Sequence, residues 1–94
     1  MRTSAAPASR LRVDLDLISA QQVLQTLTRV SDHPQLLVDC ANLRCLRTLG
    51  VSHVASELLV LRRGGAPIWL RGADPVLRRC LGLLQIEQLF LLAD

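Results

Sequence analysis

Short apolar runs alternate along this chain with stretches whose apolar residues return every three or four positions, and that alternation leaves few folds open. Residues 11–17 set Leu11, Val13, Leu15 and Leu17 against Arg12, Asp14 and Asp16, the period of two of an edge strand with one wet face. Ser19 stands three residues before Gln22, the spacing of a capping box, and Val23, Leu24, Leu27 and Val30 follow at helical intervals. A helix is expected over residues 20–31, stopped by the segment 32–34. The unbroken Leu36-Leu37-Val38 within 35–40 reads as a central strand covered on both faces. After a loop over 41–47, Thr48 is the expected N-cap of a second helix reaching about residue 63. Val51, Val54, Ala55, Leu58, Leu59 and Leu61 form its apolar face, and Gly64-Gly65 stops it. Ile68-Trp69-Leu70 marks a third strand within 66–71, with Trp69 expected in the core. Asp74-Pro75 opens a third helix that falters near Gly82, and residues 89–92 form the last strand. The order β-α-β-α-β-α-β predicts one small α/β domain, a mostly parallel four-stranded sheet packed with helices.

Composition narrows the function classes. Half of the 94 residues are apolar and 20% are charged, so the chain is expected to fold as a single domain, with little spare volume for a deep cavity. One Trp, one Phe and no Tyr leave no aromatic platform for stacked bases. The net charge of +3 comes from eleven arginines and no lysine, scattered rather than set in a stripe, so nucleic acid is not an expected partner. Three cysteines, an odd number, suit a reducing compartment, and the cytoplasm is the expected location. Residues 1–10 are small and polar, read as a loose segment with neither leader nor anchor, and 11–94 as the domain. No apolar run approaches the roughly 18 residues of a spanning helix, so no direct membrane insertion is expected.

The order of elements and several local sequences resemble the STAS domain, the fold shared by anti-sigma factor antagonists and the cytoplasmic tails of sulphate transporters. Residues 15–20, Leu-Asp-Leu-Ile-Ser-Ala, look like the family's passage from strand into first helix. Residues 37–43, Leu-Val-Asp-Cys-Ala-Asn-Leu, are similar to its strand ending in Asp-Leu-Ser-Gly-Val. Residues 46–51, Leu-Arg-Thr-Leu-Gly-Val, occupy the place of its Asp-Ser-Ser-Gly-Leu motif, whose first Ser is the phosphate acceptor in antagonists. Thr48 falls on that position. The segments 63–68, 72–76 and 84–90 look like the family's helix stop, third crossover and closing strand. The chain departs from the pattern with Arg47 where the motif has Asp and Leu49 where it has a second Ser. It also has only residues 1–10 where the family's additional first strand stands.

The resemblance implies a regulatory protein-binding module with no catalysis and no cofactor. Its contacts would fall on Arg44, Arg47, Thr48, Leu49, Gly50 and Ser52, with Thr48 as candidate phosphoacceptor. The implied partner is a kinase-type anti-sigma factor. The alternative is the ATPase of a bacterial phospholipid-transport ABC complex, whose stand-alone STAS subunit has a Thr at that place. The missing first strand leaves an edge open to a homodimer. Other readings stand beside these. Thr48 as a simple cap requires no kinase, and Arg44 and Arg47 as solvated loop arginines require no partner. Cys40 and Cys45, with His33 and His53, lack the spacing of a metal knuckle, and no metal site is expected. Asp14 and Asp16 read as a solvated edge, and Gly50 as a close approach of helix to sheet. A small ligand-binding module or enzyme would use Cys40, Asn42, Arg71 and Gly72 at the carboxyl ends of the strands.

Overall fold

The computed structural model describes residues 10–27, 29 and 34–93 of the chain. Its sheet holds β1 (Arg10–Val13), β2 (Gln35–Asp39), β3 (Ile68–Arg71) and β4 (Leu91–Leu92). The helices are α1 (Ala20–Leu27), α2 (Arg44–Thr48), α3 (Val51–Arg62) and α4 (Pro75–Leu83), and a 3-10 turn at Glu87–Leu89 precedes β4. This is the expected α/β domain with a four-stranded sheet, and every strand pair is parallel. The segment read as loose falls outside the described residues except for Arg10, which opens β1. Residues 28 and 30–33, the expected end of the first helix, also fall outside them, as does His33.

Local chemistry accounts for several boundaries. The capping box at α1 is formed: Ser19 Oγ accepts from the Gln22 N–H at 3.2 Å, and Gln22 Oε1 accepts from the Ser19 N–H at 2.9 Å. Glu57 of α3 accepts from the Ala20 N–H at 3.2 Å, which ties the start of α1 to its neighbour. Asp74 caps α4 through the Leu77 N–H at 2.8 Å, with Pro75 in the first turn. Helix α4 ends at Leu83, beside the Gly82 where it was expected to falter, and the chain turns away at Gln85, whose φ is 60°. The first strand is shorter than its alternation suggests. Asp14 Oδ1 accepts from the Asp16 N–H at 2.9 Å, and the Asp14 carbonyl takes the Leu17 and Ile18 N–H groups, so the chain turns where the pattern still alternates. The closing strand is reduced likewise to two residues, because Leu89 belongs to the 3-10 turn.

The strands lie in sequence order, β1-β2-β3-β4. With right-handed crossovers, that order carries every connecting helix to the same side of the sheet. Accordingly α3 packs against α1, α2 and α4 in one layer. Val13, Leu36, Val38, Ile68 and Leu70 point into this layer and are buried against Val54, Leu58, Leu61, Leu77 and Leu81. The opposite face carries Arg10, Arg12, Leu37, Asp39, Trp69 and Arg71, all half-buried or exposed. Two expectations are corrected here. Leu37 is not covered, because the three-residue apolar run packs only its outer two members, Leu36 and Val38, under helices. Trp69 is not core: it stands half-buried on the other face, where its Nε1 donates to Gln35 Oε1 at 2.6 Å and Arg10 lies 4.0 Å over its ring.

Candidate functional site

The carboxyl ends of β1 and β2 meet at α2, and an aspartate far away in sequence makes that junction. Asp16 Oδ2 accepts from the Arg44 N–H and Oδ1 from the Cys45 N–H, both at 2.8 Å. The residue preceding the helix, Leu43, has no side chain able to cap, so a carboxylate from the β1–α1 turn takes the first free amides instead. These two bonds to the charged form hold the Asp16 carboxyl below its ordinary pKa. Asp14 and Asp16 are exposed, as expected, but they lie past the end of the strand, where one shapes the turn and the other caps a helix.

Thr48 is not an N-cap. It closes α2, and its hydroxyl donates to the Arg44 carbonyl at 3.2 Å. The cap position of α3 belongs to Gly50, at φ 92° and ψ 165°, a conformation essentially restricted to glycine. The expected second helix therefore begins at Val51, as α3, and residues 44–48, expected as the loop and cap before it, form the separate helix α2. Gly50 does not serve a close approach, since a Cβ built on it would meet nothing within 4 Å. Its role is the backbone turn.

Beside α2 lies an open depression of about 620 Å³. Of the residues singled out from sequence, Arg44, Thr48 and Leu49 line it, while Arg47, Gly50 and Ser52 do not. Arg47 and Ser52 are nevertheless exposed close by, on α2 and in the first turn of α3. Asn42, His53, Cys45 and Leu17 also line it, together with the turn residues Asp14, Leu15 and Asp16. Sequence reasoning missed Leu17, which its alternation assigned to a strand. In the turn after β1 it is 83% exposed, and Leu49, which lines the same depression, is 62% exposed. Asp16 carried no signal either, because the same alternation placed it inside the strand.

The thiol at this depression is not activated. Burial and the neighbouring Asp16 carboxylate both push the Cys45 thiol above its ordinary pKa. Cys40 is buried under the helical layer, and burial raises its pKa to about 12. It behaves as a small apolar residue, its Sγ 3.8 Å from the Val38 carbonyl. Among the described residues no group of three or more His, Cys, Asp or Glu side chains is arranged to hold a metal ion. No helix among them is long and apolar enough to cross a membrane.

A second depression lies at the same end of the sheet, where Asn42, Arg71 and Gly72 come together with Arg12 and Asp39. Cys40, grouped with them from sequence, does not reach it. The loops after β2 and β3 touch at this point: a Cβ on Gly72, whose φ is 66°, would lie 2.8 Å from that of Ala41. Asp39 faces Arg12 at 3.8 Å and accepts from the Ala41 N–H at 3.0 Å. No family model, no curated protein and no solved structure matches the chain.

Proposed function

We propose that the chain is a non-catalytic protein-binding module, working in the manner of the anti-sigma factor antagonists that its motifs resemble. Its contact surface is the ground around α2, Leu49 and the turn bearing Leu17. The observation that supports this reading is the pair of exposed leucines, Leu17 and Leu49, that line one depression, at 83% and 62%. Neither serves the core, and exposed aliphatic side chains with polar neighbours are what a partner covers. Arg44 and Arg47 supply the polar rim, in the arrangement usual for protein interfaces.

Thr48 stands exposed beside Leu49 within this surface. A phosphate there brings about −1.5 to −2 charges into an interface built on leucine, and a partner cannot cover it without desolvating that charge. The unphosphorylated form is then the binding form. The test is affinity purification of the tagged full chain from its own cells, with mass spectrometry of partners and of the peptide carrying Thr48. Binding of the recovered partner is then compared among variants. Leu49→Glu and Thr48→Glu should each weaken it by about tenfold or more, and Thr48→Ala should leave it unchanged. Equal binding by Thr48→Glu and Thr48→Ala overturns the switch, and full binding by Leu49→Glu overturns the surface. A kinase-type anti-sigma factor among the recovered proteins supports the antagonist reading, and an ABC ATPase replaces it.

A further inference from the structure

The sheet face opposite the helices presents a second surface, independent of the one around α2. All-parallel sheets occur almost only with both faces covered, because crossover connections lay helices on both of them. Here all four described helices form a single layer, and no helix among the described residues lies on the other face. That face has an apolar centre, Leu37 and Trp69 side by side in register. Arg10, Arg12 and Arg71 surround it and a single carboxylate, Asp39, opposes them, so the described residues give it two net positive charges.

Its polar groups are only partly used. Arg12 is 72% exposed and reaches Asp39 at the long distance of 3.8 Å, and Arg71 is exposed. Arg10 stacks on Trp69 with its Nε buried and without a hydrogen-bond partner. A second copy of this chain placed face to face would set arginines against arginines, which argues against self-association here. The apolar pair needs an apolar stripe, and the guanidiniums need carboxylates on its flanks.

We infer that this face docks an acidic amphipathic helix of a protein partner, laid on Leu37 and Trp69 as the third layer of the domain with its carboxylates on Arg10, Arg12 and Arg71. Trp69 is the one tryptophan of the chain and therefore reports on this face alone. The experiment titrates the full chain with a synthetic helix of about 18 residues, roughly 27 Å long, carrying leucines at three-to-four spacing and glutamates elsewhere. Trp69 emission is followed. The expected result is a saturable blue shift, weakened about tenfold or more by Arg12→Glu combined with Arg71→Glu, and retained by Leu49→Glu. Both arginine positions are exposed, and circular dichroism of the double variant confirms that it folds. Arg12→Gln with Arg71→Gln should give an intermediate loss. No shift, or an equal shift with the lysine version of the peptide, overturns the proposal. A shift only with phosphatidylglycerol vesicles assigns the face to a membrane, and a shift on concentrating the protein alone assigns it to self-association, each in place of the acidic helix. Loss with Leu49→Glu would place the peptide at the surface around α2 and overturn it as well.

Discussion

The two faces of the sheet come from the same four strands and could hardly differ more. On one, Leu36, Val38, Ile68 and Leu70 are essentially sealed beneath α3 and α4. On the other, their immediate chain neighbours Leu37, Trp69 and Arg71 remain half-buried or exposed, among arginines and with no helix above them in the described residues. The sealed set is aliphatic and the other face is mostly charged, yet residue type alone does not part them, since Leu36 and Leu37 are the same. Strand order separates them. Parallel strands laid down in sequence with crossovers of one hand put all connecting helices on one side, and the remaining side keeps whatever chemistry its residues carry.

The sharpest way to test that contrast is to remove equal volumes from the two sides. Leu58→Ala, in the sealed layer, should cost about 2–5 kcal/mol of stability in urea unfolding. Leu37→Ala should cost about 1 kcal/mol, because its site is already open to solvent and leaves no sealed cavity. Equal losses would mean that the second face is as closed as the first. Next in size is Gly50→Ala, which forces a Cβ into a glycine-only conformation between α2 and α3. A loss of about 1–3 kcal/mol is expected, with Trp69 emission of the folded protein unchanged because the strain lies on the helical side. A shifted emission would show that the two sides are coupled.

The smallest effect is electrostatic. Since two backbone N–H groups hold the Asp16 carboxyl below its ordinary pKa of 3.8, the folded state keeps it charged at a lower pH than the unfolded chain does. Its contribution is complete above that value and is lost as the pH falls through the lower folded pKa. Asp16→Asn has one oxygen to offer where two were used, so the variant should be less stable than the natural chain at pH 7. The gap should narrow below about pH 3.8. Urea midpoints measured between pH 3 and pH 7 read this directly, and a gap independent of pH would remove the carboxylate's charge from the account.

What was legible in advance follows the reach of the interactions concerned. The Ser19–Gln22 box and the Asp74–Pro75 start lie within one helical turn, so residue type and spacing specify them. Asp16 capping α2 spans 28 residues, and no local pattern announces a donor–acceptor pair at that distance. Thr48 was misread as a cap because a Thr before an apolar helical stretch normally is one, whereas Gly50 two residues later took the cap with a backbone conformation that Thr would find strained. Leu17 continued a strict alternation, and only the Asp14 turn showed that the strand had ended at Val13.

Local sequence therefore determined the α/β class, the element order and the chemistry of two helix starts, since propensity, capping and periodicity act between near neighbours. Only the tertiary structure decided which face of the sheet is sealed, where Asp16 spends its carboxylate, and that Leu17 and Leu49 line one depression. Those outcomes depend on how crossovers wind and on which distant segments come into contact, and the free energies that settle them are summed over the whole fold rather than over any one stretch of it.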